Sequence, residues 1–252
     1  MADIQYKLGK LPARKGAIKF KLSDYVTAKL PTPPAIYGHQ TLVPQWNLYG
    51  NDKYGDCVFA GAGHEHLLWN KEAGKDVVFT DTNILAAYTA VTGFNPTDPS
   101  TDQGADMELV AKWRRTTGLT DASNDIHKIG AYLNVQIGNI PEIKQAAYLF
   151  SAVGIGIQFP DSAMEQFNAG KPWKVVSGAQ IEGGHYVPIV GYDSKFIYII
   201  TWGKVQAASY AFIKKYMDEG IVYLNTEFFK DGKSLEGFDL ATLTSNINSL
   251  PQ

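Results

Sequence analysis

Two side chains of this sequence are suited to covalent chemistry: the thiol of Cys57, its sole cysteine, and the imidazole of His185. Cys57 stands in Gly50-Asn51-Asp52-Lys53-Tyr54-Gly55-Asp56-Cys57-Val58-Phe59-Ala60-Gly61-Ala62-Gly63-His64, where glycine-rich turn chemistry gives way to a small-residue helix pattern. A helix start leaves backbone N–H groups unpaired and carries roughly half a positive charge, so it favours a thiolate and any oxyanion beside it. The competing reading is a buried cysteine packed as a small apolar side chain. A nucleophilic thiol needs a base, and imidazole has the right pKa near neutrality. Of the five histidines, His64 lies two helical turns from Cys57, about 10.5 Å along the axis and out of reach, and His66 is turned away. His39 and His127 fall in loop-like sequence and read as surface residues. His185 follows Glu182-Gly183-Gly184 and opens the apolar run Tyr186–Tyr192, so a flexible turn delivers an imidazole to a strand end. The triplet His64-Glu65-His66 has i, i+2 spacing, which diverges on a helix, so no metal ligand set and no cofactor is assigned.

Several elements must position this pair. Asp56 is placed to cap a helix running to about Asn70, with Val58, Ala62, Glu65 and Trp69 on one stripe and small residues permitting close packing. Helices are predicted over Thr80–Val91, stopped by Gly93, over Asp106–Thr117, stopped by Gly118, and over Ile140–Val153, opening on Pro141-Glu142. Strands are predicted over Gly154–Phe159, His185–Tyr192, Lys195–Trp202 and Ile221–Leu224, with Asp193-Ser194 as a hairpin link. Helices early and strands late imply an α+β protein of two lobes with a cleft between them. Residues 1–35, basic from Lys7 to Lys21 and closed by Leu30-Pro31-Thr32-Pro33-Pro34, read as a surface arm preceding a body over 36–252. Its helical lobe covers about 36–125 and its β-rich lobe about 126–252.

Composition narrows the partners. With 252 residues, 45% of them hydrophobic, the chain can bury a sizeable core, and a net charge of −2 without a basic field argues against nucleic acid and acidic membranes. The sequence has neither a signal peptide nor an apolar run approaching the roughly 18 residues of a membrane span. One cysteine permits no internal disulfide, which makes a cytoplasmic or virion-associated setting the expectation.

The order of these pieces resembles the papain-like cysteine peptidases over most of residues 36–252. Gln45–Gly55 resembles that family's lead-in, Asp56-Cys57-Val58-Phe59-Ala60 its nucleophile helix, Gly184-His185-Tyr186-Val187-Pro188 its histidine strand and Ile200-Thr201-Trp202-Gly203 its closing Asn-Ser-Trp-Gly motif. Ala146–Trp173 looks like the stretch before the family's histidine, and Leu8–Arg14 and Tyr54–Cys57 look similar to phage and bacterial members. The resemblance implies a papain-like fold, Cys57 as nucleophile, His185 as base and a peptide or protein substrate, with oligomeric state left open. Two positions depart from the pattern. The family's oxyanion glutamine, six residues before the cysteine, is Asn51, one methylene shorter, with Gln45 and Asn47 as competing donors. The family's orienting asparagine is replaced by Ile200, and Thr201 can serve only if the strand is shifted by one residue, which the His185–Trp202 spacing permits. Asp193, roughly 26 Å along an extended strand from His185, is discarded as orienter. Trp202 would shield the imidazole partner from water. The implied reaction is hydrolysis of a peptide or amide bond through a thioester acyl-enzyme. The alternatives are an impaired papain-like binding or virion structural protein, a cell-wall amidase or acyl transferase using the same pair, and a latent enzyme whose arm lies across the cleft.

Overall fold

The computed structural model describes residues 5–25, 31–242 and 245. A brief helix α1 (Leu22–Tyr25) and strand β1 (Tyr37–Gly38) lead into the long helix α2 (Cys57–Glu72), followed by α3 (Asp81–Thr92) and α4 (Met107–Thr116). Then come β2 (Leu119–Thr120), β3 (Ile126–His127), β4 (Ala131–Asn134), α5 (Ile140–Phe150), β5 (Val153–Pro160) and α6 (Asp161–Asn168). The chain continues with β6 (Ile181–Tyr192), β7 (Phe196–Thr201), β8 (Lys204–Ser209), α7 (Tyr210–Tyr216) and β9 (Met217–Leu224). The fold is α+β. One antiparallel sheet runs in the order β4-β9-β5-β6-β7-β8, with β1 added on β6, and β2 pairs with β3 apart from it. Among the described residues no helix is long and apolar enough to cross a membrane.

The central helix α2 is buried on every side: of its residues only Lys71 is not buried. That is more than the single stripe expected from the sequence, because α3 and α4 cover it on one side and β6 lies against the other. Its glycines make the approach possible. A Cβ on Gly61 would stand 2.4 Å from the ring of Tyr186 on β6, and one on Gly63 would stand 2.8 Å from Ile84 on α3. Helices α3 and α4 form where periodicity placed them, α3 opening on a Thr80–Asn83 capping box and ending at Gly93 with φ 76°. Helices α6 and α7 and strand β8 had no counterpart in the sequence reading. The first two are short, and α7 opens on a Ser209 N-cap whose hydroxyl accepts the Phe212 N–H.

Two irregularities of the sheet bear on the site. Between β6 and β7 the register moves by one residue at Val190, since Ile189 faces Ile199 but Gly191 faces Tyr198. Between β5 and β9 it moves at Asp218, because Gly156 faces Glu219 while Ile157 faces Met217. Each is a bulge, one extra residue that bends its strand and re-aims the side chains beyond it.

The N-terminal segment departs from expectation. Read from sequence as a surface arm, it runs into the body: Lys10 is 4% exposed, and Ile18 and Leu22 belong to the main core. The residues between its charges explain this. Tyr6, Leu8, Ile18 and Leu22 are apolar groups that gain by leaving water.

Candidate active site

Cys57 is the first residue of α2, and its sulfur accepts the backbone N–H of Tyr186 at 3.4 Å, which sets it beside the residue that follows His185 on β6. On that strand His185 and Tyr186 point to opposite faces, Tyr186 into the core toward Glu65, and His185 onto Trp202. The imidazole stacks on the Trp202 indole with ring centroids 4.5 Å apart and planes at 18°. Trp202 and Gly203 form the two-residue loop between β7 and β8, both with positive φ (44° and 71°), as a hairpin turn matched to strand twist requires. Nε2 of His185 is 2.7 Å from Oγ1 of Thr201, and Nδ1 has no hydrogen-bond partner.

The one-residue shift needed to bring Thr201 to this face is the bulge at Val190. Past the bulge, the register of β6 and β7 puts Thr201 on the His185 side and turns Ile200 to the other, where it packs with Val43, Trp46, Leu67, Leu68 and Val190. The departure from an asparagine at position 200 thus coincides with a local change of strand phase. Asp193 stays at the β6–β7 turn, accepting the Lys195 and Phe196 N–H groups and the Tyr198 hydroxyl, remote from His185.

Asn51 is buried in the turn before α2, where its Nδ2 donates to the Tyr54 carbonyl at 3.0 Å and lies 3.5 Å from the carbonyl of Lys7. Asp56 occupies the N-cap position through its backbone, its carbonyl accepting from Phe59 and Ala60, but its carboxylate makes no cap hydrogen bond, contrary to the sequence reading. Burial pushes that carboxyl well above the usual range. A neutral acid has no charge to offer the helix terminus.

Residues 6–11 lie over the pair. Tyr6 stacks on Trp202 at 5.0 Å, and the Lys7 carbonyl accepts from the Trp202 indole N–H at 3.3 Å. Gly9 and Lys10 both donate to the Gly184 carbonyl, at 3.1 and 3.0 Å, while Ala105 donates to the Gly9 carbonyl at 2.7 Å and Leu11 to the Ala105 carbonyl at 3.0 Å. Glycines make the seat: a Cβ on Gly9 would stand 1.9 Å from the Gly55 carbonyl oxygen, and one on Gly104 would stand 2.1 Å from that of Gly9. The cover explains the electrostatics. Cys57 and His185 are each 1% exposed. Burial pushes the thiol up to about 12, against the opposing pull of the Tyr186 and Gly9 N–H groups, and burial alone lowers the imidazole to about 3. Both groups are neutral in this state.

The other histidines are more engaged than their sequence suggested. His64 bonds the Asn47 carbonyl at 2.8 Å and His39 bonds Glu72 at 2.8 Å. His127, expected at the surface, is buried, because Glu227 from beyond β9 reaches its Nδ1 at 2.9 Å and also His66 Nδ1 at 2.8 Å. Ligand-type atoms of His66, His127 and Glu227 lie within 4.8 Å of one another, a grouping with a metal's donor types that the helix-spacing argument did not reach. Their mutual hydrogen bonds, with Asn70 donating to Glu227 at 2.9 Å, already pair the carboxylate. Interactions with the His66 and His127 imidazoles, through charge and hydrogen bonds, hold Glu227 below the usual carboxylate range despite burial.

No protein-family model matches the chain, and no curated protein matches it by sequence. Solved structures do match. The crystal structure of xylellain, a cysteine protease from Xylella fastidiosa, superposes with a TM-score of 0.65 over 88% of this chain and 97% of that one, at 16% identity. A digestive procathepsin L 3 of Tenebrio molitor gives 0.57 over 82% and 76% at 16% identity, and the ragweed pollen allergen Amb a 11, a cysteine protease in its proform, gives 0.57 over 79% and 69% at 16% identity. A two-lobed α+β chain with a cysteine heading its central helix and a histidine on the facing strand thus has the fold of the papain-like cysteine proteases.

Proposed function

We propose that the protein is a papain-like thiol hydrolase held latent by its own N-terminal arm, with Cys57 as nucleophile, His185 as base, Thr201 as the residue orienting His185 and Asn51 as an oxyanion donor. The observation that carries this reading is the Thr201–His185 hydrogen bond at 2.7 Å beside the sulfur at the α2 N-terminus. With Nε2 committed to Thr201, Nδ1 is the nitrogen left to take the thiol proton. The thiolate then attacks the carbonyl carbon of a peptide or amide, and the oxyanion is met by the first N–H groups of α2 and the Asn51 amide. His185 returns its proton to the leaving amine, a thioester remains on Cys57, and water deprotonated by the same imidazole releases the acid. The bond broken can be that of a peptide, a cell-wall amide or an acyl donor, since all three share these steps.

The arm favours latency over loss of function. Its Lys7 carbonyl engages Asn51, which this mechanism needs, and Trp202, on which His185 stacks, and two of the structural neighbours are described as a procathepsin and a proform. Gly9→Val in the full chain cannot seat against Gly55 and so opens the cleft. In the unaltered chain, alkylation of Cys57 by iodoacetamide at pH 7 should be far slower than that of an exposed thiol, because the sulfur is 1% exposed and burial pushes the thiol up to about 12. In Gly9→Val, water returns, the thiol falls and the imidazole rises, so labelling at pH 7 should be at least tenfold faster and a peptide substrate should be cleaved. His185→Ala in that background should abolish both gains. Labelling at the rate of an ordinary free thiol and indifferent to His185→Ala would instead favour a papain-like binding module without catalysis.

A further inference from the structure

The arm's backbone is held by the Gly184 carbonyl and by the N–H and carbonyl of Ala105, groups that any extended peptide could engage. Side-chain pockets must therefore supply whatever selectivity the groove has. One pocket is occupied: the side chain of Lys10 is wholly buried, with Nζ 3.1 Å from Asp218 Oδ2, 3.4 Å from Glu219 Oε2 and 3.0 Å from the Leu11 carbonyl. Asp218 and Glu219 are successive residues of β9 and would point to opposite faces of a regular strand. The bulge at Asp218 lets both converge on one ammonium. Across from them, β5 carries Gly156, where a Cβ would stand 2.0 Å from Lys10 Cε, so the absence of a side chain makes the space the lysine stem fills. Gln158, Ile181 and Gly183 line the open hollow beside it, together with Lys10 and Asp218.

We propose that this pocket, floored by Gly156 and ended by Asp218 and Glu219, is the specificity subsite of the cleft and selects peptides carrying a lysine or arginine in the place Lys10 now fills. The inference rests on reading the cleft as a peptide site, with the arm standing where a substrate chain lies. A neutral side chain of the same length fills the volume but leaves two partly buried carboxylates without a cation, which is the source of discrimination. Arg14, the next arm cation near the cleft, instead sits half-exposed on Asp106 and Glu108, each within 3.0 Å, where solvent screens the pairing.

The test uses the full chain carrying Gly9→Val and Lys10→Met, so that its own arm is displaced and brings no ammonium. Calorimetric titration compares the blocked pentapeptide Gly-Lys-Leu-Pro-Ala with its twin containing norleucine, which has the lysine stem and no charge. The lysine peptide should bind at least tenfold more tightly, and adding Asp218→Asn with Glu219→Gln should erase the difference. Equal affinities, selectivity that survives the two amide changes, or no binding of either peptide would overturn the proposal. Should the double variant fail to fold, Lys10→Met alone serves, because its tethered arm competes equally with both peptides. The titrations carry Cys57→Ala as well, so that no peptide is cleaved during them, and a chain that prefers lysine tenfold yet cleaves nothing once Cys57 is restored keeps the subsite and loses the hydrolase reading.

Discussion

A hydroxyl 2.7 Å from the Nε2 of His185 can accept its proton and fix the ring, the task a carboxamide oxygen performs in the resembled motif. The two are not equal, because a threonine hydroxyl also rotates and donates. Removing it leaves a buried ring nitrogen unpaired, which costs about 1–3 kcal/mol. Thr201→Val in the Gly9→Val chain should therefore lower kcat/KM by roughly 5- to 150-fold, while Thr201→Ser keeps most of it, as steady-state hydrolysis would show. At this scale the sequence was informative about which residues to compare and silent about their charge state. Cys57 and His185 could be named from helix start and strand start, and Thr201 from the papain-like resemblance together with the short His185–Trp202 interval. That thiol and imidazole are both neutral could not, because it follows from burial under residues 6–11, and a linear pattern carries no burial by distant chain.

Two single-residue bulges do much to shape the cleft. The one at Val190 decides whether position 200 or 201 faces His185, and the one at Asp218 decides whether one acid or two reach the neighbouring pocket. Removing one residue from the facing strand, Ile199, should slide β7 by one against β6, turning Ile200 toward His185 and Thr201 toward Trp46 and Leu68. The expected result is lost activity and a lower urea midpoint. Adding Ile200→Thr to the deletion should recover part of the activity by restoring a hydroxyl at the ring, and no recovery would count against the register argument. Long periodic elements such as α3 and α4 were legible because their capping and spacing are local. The bulges were not, since an extra strand residue is defined only against its partner; the short His185–Trp202 interval was the one trace of it.

The molecule is tied together behind the cleft by a buried polar cluster. Arg114 of α4 donates to Glu65 of α2 at 2.5 Å and lies 4.1 Å over the ring of Tyr223 on β9, while Tyr186 of β6 donates to the same carboxylate at 2.6 Å. Helices and sheet are thereby joined through one ion pair. Arg114→Met should strand the Glu65 charge and destabilise by about 3–5 kcal/mol, with Glu65→Gln in the same chain restoring a large part, as urea denaturation can show. None of these pairings could be read in advance, because the arginine and glutamate are ordinary helical residues until α4 crosses α2. The arm poses the same problem on a longer span, since Lys10 meets Asp218 208 positions along the chain and Glu219 one position further. That separation has a consequence for synthesis. The segment emerges long before Gly184, Asp218 and Glu219 exist to receive it, so its docking must wait for the last strand to join the sheet. Cover and cleft are completed in a single late event, and the newly made chain has no stage at which a finished sheet stands ready while its cover is still to be translated.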